Sequence, residues 1–170
     1  YYGGYAGYYQ LGTHNTAIGY NSFVGASGGS ATGGANTAVG RDALSSNQSA
    51  NNNTAVGYQA ATGNTTGRIT SVGFRAGQKN TTGNENTHVG QSAGQETTTG
   101  GNNSSLGDGA LMVNTTGGSN TAVGRRAMFN TTTGNNNVAA GAGALNSNST
   151  GSNNTSVGKD AGYTMGSATY

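Results

Sequence analysis

The sequence predicts an all-β fold, a parallel β-solenoid of nine to ten coils of about 17 residues. A phrase close to Asn-Thr-Ala-Val-Gly returns along the chain at a nearly constant interval, which is the signature of stacked structural repeats. The irregular intervals place their extra or missing residues between the fixed columns, where loops would lie. Helical periodicity is absent, and runs rich in Asn, Thr and Gly are poor helix material.

The Gly that closes the phrase is the reference position, found at Gly19, Gly40, Gly57, Gly73, Gly90, Gly107, Gly124, Gly141 and Gly158. The spacings are 21, 17 and 16, and then 17 throughout. An earlier, degenerate copy reads YGGYAG and would centre on Gly3. Four residues before the reference Gly stands Asn in eight of nine units: Asn15, Asn36, Asn53, Asn86, Asn103, Asn120, Asn137 and Asn154, with Ile69 the exception. Thr usually follows. Just before the Gly comes an aliphatic residue, Ile18, Val39, Val56, Val72, Val89, Leu106, Val123 or Val157, with Ala140 as the weak copy. Three residues after the Gly stands Ala in all units but the first, which has Ser22, and a Thr-Gly pair recurs further on, as at Thr66-Gly67.

Short strands N-T-A-V and a second x-x-A-Φ, each punctuated at Gly, fit this unit. Stacked about 4.8 Å apart, each strand pairs with its own copy in the next coil, so like residues form ladders. The expected Asn ladder suits such stacking because an amide can donate to one copy and accept from another. The aliphatic before the Gly is expected to face inward as the structural core ladder, together with the Ala after it. The nine reference glycines are expected at corners that need φ > 0. Most of the charges, among them Arg41, Asp42, Arg75, Asp108, Arg125, Arg126, Lys159 and Asp160, occupy the two variable positions after the Gly and so face solvent. Residues 15–162 form the repeat domain, residues 1–14 a Tyr-rich cap or degenerate first coil, and residues 163–170 a second cap or contact segment.

Composition removes several functions. Seven Lys and Arg against five Asp and Glu, a net charge of +2, cannot build the basic stripe that nucleic acid requires. There is no Cys, hence no disulfide or thiolate metal site. No apolar run approaches the ~18 residues of a membrane span. The chain opens on Tyr rather than Met, and a fragment or a processed form is expected. No enzyme is expected, and no cofactor or metal. Asp42, Glu85, Glu96, Asp108 and Asp160 are scattered over solvent-facing pairs and loops. His14 and His88 have no ligand at metal spacing, and no G-x-S-x-G elbow or G-G-x-G-x-D calcium repeat occurs. The segment GASGGSATGG (25–34) lacks the ending of a phosphate loop and reads as an inserted loop.

Repeated in register over residues 15–162, the motif N-T-A-V-G-x-x-A resembles the short repeats of trimeric autotransporter adhesin heads. It resembles still more closely the N-T-A-V-G-Y-Q-A-L repeats of phage and bacterial tail-fibre-like proteins. The resemblance implies a trimer of left-handed parallel β-rolls, although the adhesin unit is shorter and has a second inward aliphatic where this chain has Thr. A thin apolar core per turn points the same way, towards a homotrimer packed side by side. The expected role is an extracellular structural and adhesive fibre segment on a cell or virion surface. Its partners would be other copies of itself and surface ligands such as cell-surface glycans, with no nucleic acid and no membrane insertion. An alternative is a self-assembling extracellular filament subunit joined through its Tyr-rich ends, for which Tyr1, Tyr2, Tyr5, Tyr8, Tyr9, Tyr163 and Tyr170 are the candidate contacts. An ice-binding solenoid, which would use its Thr columns, ranks below both.

Overall fold

In the computed structural model, which describes residues 2–25 and 31–164, the chain is a parallel β-solenoid. The inserted loop therefore falls partly outside the described residues, as do Tyr1 and Tyr170. Among the described residues nine strands, one per coil, make a single sheet in chain order: β1 (Thr16–Ile18), β2 (Thr37–Val39), β3 (Thr54–Val56), β4 (Ile69–Val72), β5 (Asn86–Val89), β6 (Ser104–Leu106), β7 (Thr121–Val123), β8 (Val138–Ala140) and β9 (Thr155–Val157). Pairing is in register, so Thr37 lies over Thr54, Ala38 over Ala55 and Val39 over Val56. Before β1, Tyr2 bridges to Ile18 and Gly3 takes a φ of 123°, close to that of the later reference glycines.

Two expectations are corrected. Among the described residues the second strand, x-x-A-Φ, does not form. That side of each coil is a chain of tight turns, because residues two and four places after the reference Gly are left-handed. Asp42, Gln59, Arg75, Ser92 and Arg126 have φ of 54–58°, and Phe23, Leu44, Leu111, Met128 and Leu145 have φ of 48–54°. The Ala43 N–H donates to the Gly40 carbonyl and the Ala127 N–H to that of Gly124, closing turns whose third residue has the positive φ of type II.

The aliphatic ladder also faces the other way. Side chains alternate along a strand; the residue two before the Gly points inward, so its neighbours point out. Ala17, Ala38, Ala55, Ala122 and Ala139 are buried, whereas Ile18, Val39, Val56, Val72, Val89, Leu106, Val123 and Val157 are exposed or half-buried on the outer sheet face. The core is built instead from that Ala column, the Ala three after the Gly, and the left-handed column that carries Phe23, Leu44, Leu111, Met128 and Leu145.

The reference glycines do occupy positive φ, 121–140° from Gly19 to Gly158. Close approach excludes a side chain as well: a Cβ on Gly107 would lie 2.7 Å from the carbonyl group of Gly124.

Candidate functional site

The Asn column lies inside, at the corner that leads into each strand. Asn120 shows the pattern: its Oδ1 accepts the Asn137 backbone N–H at 3.0 Å, and its Nδ2 donates to the Gly134 carbonyl at 2.8 Å. The same two bonds recur at Asn36, Asn86, Asn103 and Asn137. A second internal column, with Asn47, Asn64, Asn80, Asn114 and Asn148, donates to the same row of carbonyls from the opposite side. The ladder thus runs from amide oxygen to backbone N–H more than from amide to amide. Asn15, at the first coil, is half-buried and accepts from Asn36. At Ile69 there is no amide to receive Asn86, whose N–H turns to the Arg68 carbonyl at 3.4 Å. These residues hold the backbone; they are shielded from any ligand.

What the solenoid offers outward is the sheet face. Its two columns are the Thr column (Thr16, Thr37, Thr54, Thr70, Thr87, Ser104, Thr121, Val138, Thr155) and the aliphatic column beside it, in register over all nine strands. No charged residue stands in either. Exposure reaches 41% at Val123, 44% at Ile18, 52% at Leu106 and 72% at Val157, a continuous uncharged stripe of the kind that marks a contact surface.

One corner away, the first variable column differs between the two ends. In the N-terminal half it is aromatic: the Arg41 guanidinium lies 5.9 Å from the Tyr20 ring centre and 5.8 Å from that of Tyr58. Tyr58 stacks on Phe74 at 5.4 Å, and Tyr5 meets Tyr20 edge-on at 6.0 Å. Tyr2, Tyr5, Tyr8 and Tyr9 are exposed around the first coil, and Tyr163 is exposed near the other end. In the C-terminal half the same column carries Asp108, Arg125, Ala142 and Lys159, with Arg126 and Asp160 in the position that follows. Glu85 and Glu96 pair across coils with Arg68 and Lys79 on the surface, where such pairs contribute little.

The residue whose environment departs most from the repeat is His88. It stands in the inward Ala column, fully buried, with Nδ1 2.8 Å from the Ser105 Oγ and, among the described residues, no partner at Nε2. Burial pushes its pKa down to about 4, so the ring is neutral. Room for it comes from glycines in the left-handed core column: a Cβ at Gly94 would run into the His88 ring, and one at Gly77 would meet the Ile69 Cδ1 at 2.7 Å. The sequence reading has this column, Phe23, Leu44, Ala61, Gly77, Gly94, Leu111, Met128 and Leu145, as the Φ of a second strand, and what it misses is the left-handed turn that turns these residues into the core. Among the described residues, no group of three or more His, Cys, Asp or Glu could hold a metal ion, and no helix is long and apolar enough to cross a membrane.

Comparison with known families finds no matching family, and neither curated proteins nor solved structures give a significant match.

Proposed function

We propose that this chain is a segment of an extracellular structural and adhesive fibre, of the adhesin-head or tail-fibre-shaft kind, in which three copies pack side by side. The observation that carries the reading is the uncharged Thr and aliphatic face along all nine strands. Left in water, the stripe exposes apolar area that burial would stabilise by about 25 cal/mol per Å². Another copy has the same ~4.8 Å period, so every rung can meet a rung. The N-T-A-V-G-x-x-A motif supports the same reading, since it resembles repeats that form trimers. The working site is then a cell or virion surface, and weak contacts repeated along the rod supply the avidity.

Molar mass by light scattering on a size-exclusion column tests the reading. A mass near three times the 16.7 kDa chain is expected, falling to that of one chain when Leu106→Lys and Val123→Asp are combined. A second reading, a filament subunit joined end to end, is favoured by the exposed Tyr2, Tyr5, Tyr8 and Tyr9 at the open first coil. It requires concentration-dependent growth that Tyr5→Ser with Tyr8→Ser stops. A stable monomer at all concentrations excludes both assemblies and leaves the outward Thr column to an ice-growth assay.

A further inference from the structure

The corner of the last two coils contains a notch that the regular repeat does not explain. In the eighth coil the two variable positions after the reference Gly are Ala142 and Gly143, the smallest pair in the column. The coils on either side carry Arg125 and Arg126, and Lys159 and Asp160. The missing side chains leave an open pocket of about 170 Å³, walled by these four residues and by Tyr163. Its walls stand two coil spacings apart, roughly 10 Å. The floor is open because Gly143 has no Cβ; one there would press on the Asp160 carboxylate and approach the Tyr163 ring at 3.5 Å.

Charge in the notch is unbalanced. Most cations elsewhere are paired: Arg41 with Asp42, Arg68 with Glu85, and Lys79 with Glu96. Among the described residues neither Arg125 nor Arg126 has an ion-pair partner. Arg126 lies over the Phe129 ring at 5.4 Å, which holds its guanidinium against the corner, and Lys159 is 3.9 Å from Asp160. Three cations therefore face one carboxylate around a space of roughly the size of a sugar ring.

We propose that this notch binds an acidic sugar, a pyranose that carries a carboxylate or a sulfate. The guanidinium forks of Arg125 and Arg126 can each take a pair of oxygens of such a group. Tyr163 supplies an apolar edge for the CH face of the ring, and Asp160 is an acceptor for its hydroxyls. An inorganic anion would make no use of Tyr163 and would be repelled by Asp160. The proposal deepens the adhesive reading and rests on it for its biological use; the chemistry of the notch stands apart from the number of chains in the fibre.

The test is a titration of the whole chain, followed by amide NMR shifts, with tetragalacturonate, with a sulfated galactose tetrasaccharide and, as the neutral control, with maltotetraose. At least one acidic probe is expected to bind, with shifts confined to residues around Arg125–Tyr163, while maltotetraose does not bind. Arg126→Ala and Lys159→Ala should each weaken binding about tenfold, close to 1.4 kcal/mol. Ala142→Gln fills the notch with a residue that the same column already carries at Gln91, so it should abolish binding without disturbing the coil. Failure of both acidic probes, equal binding of maltotetraose, or full affinity in Ala142→Gln overturns the proposal, as does competition by inorganic sulfate at the concentration of the sugar. Light scattering on the same samples separates the two readings: a trimer that binds neither acidic probe loses the notch and keeps the fibre, and a monomer that binds keeps the notch and loses the trimer.

Discussion

The C-terminal half and the middle of the solenoid have the same backbone and fill it differently. From Ala110 to Leu145 each coil puts a small Ala in the strand and a large Leu or Met in the turn, and these form one apolar cluster. In the middle the order is inverted. The turn positions are Gly77 and Gly94, and the bulk comes from Ile69, which replaces the ladder Asn, and from His88, which replaces the strand Ala. Ser71, His88 and Ser105 succeed one another in the inward column, and the two apolar clusters end on either side of them. The comparison shows that a coil must fill a given volume, not keep a given residue in each column, as close packing requires.

The largest effect should come from what the two regions share. Gly90 lies in the middle and Gly124 in the regular half, with φ of 131° and 127°, and a Cβ on either would sit 2.5–2.7 Å from the next coil's carbonyl group. Gly90→Ala and Gly124→Ala are expected to cost about 4 kcal/mol or more each, because backbone overlap adds to a conformation that side chains avoid. Urea unfolding monitored by circular dichroism would measure both. If the middle tolerates the change and the regular half does not, its backbone is more plastic than its register implies.

Next comes the exchange itself. His88→Ala restores the common strand residue but leaves the space beside Gly94 empty, at a cost of about 3 kcal/mol. Gly94→Leu restores the common turn residue but drives it into the imidazole, and should cost as much or more. Together the two substitutions rebuild the regular coil, and Leu already takes the left-handed angle at Leu111 and Leu145. The double variant should therefore recover to within about 1 kcal/mol of the parent, a strong coupling in a double-mutant cycle. Additive losses would mean that the two positions do not share one space.

Acid should also separate the regions. The folded His88 titrates at about 4 against an ordinary value of 6.5, so the unfolded chain takes up the proton first as pH falls. The stability due to its neutral state is complete above pH 6.5, declines between 6.5 and 4, and has gone below that. The span corresponds to about 3 kcal/mol. The difference in unfolding free energy between parent and His88→Ala, measured from pH 7.5 to 4, removes the contribution of every other group. A flat difference would show that water reaches the ring.

The spacing of the repeat made the parallel solenoid, the corner glycines and the solvent-facing variable pair legible in the sequence, because each depends on local backbone geometry copied in every coil. The inward direction was not. Val is more apolar than Ala, and a hydrophobicity argument put Val39 and Val123 inside; yet alternation admits one inward residue per three-residue strand, and in these coils the turn residues Leu44 and Met128 take the bulk of the core, so that position is Ala38 or Ala122. The large residues went to the turn, where Leu44 and Met128 accept a left-handed angle that propensity alone assigns to Gly or Asn. Stacking above and below overrides that preference. The notch was hidden for a related reason: Ala142 and Gly143 matter only through the larger residues in the coils before and after them.

That override can be measured where packing plays little part, and it gives the smallest prediction. Ser92 lies beside the middle core with φ of 54°, in a column that already holds Gly109 and Gly143, and Ser119 has φ of 57° in the regular half. A left-handed angle costs a non-glycine residue about 1–2 kcal/mol, while Gly gives back roughly 0.5–1 kcal/mol through the greater freedom of the unfolded chain. Ser92→Gly and Ser119→Gly should each raise stability by about 0.5 kcal/mol, read as a small shift in the urea midpoint with an unchanged slope. Ser92 lies two places after a reference Gly and Ser119 just before a ladder Asn, so the shift should be the same in both regions if strain belongs to the left-handed angle itself and volume to the coil. A gain confined to Ser119 would tie the angle at Ser92 to the packing around His88, and strain and volume could then no longer be treated as separate quantities in this solenoid.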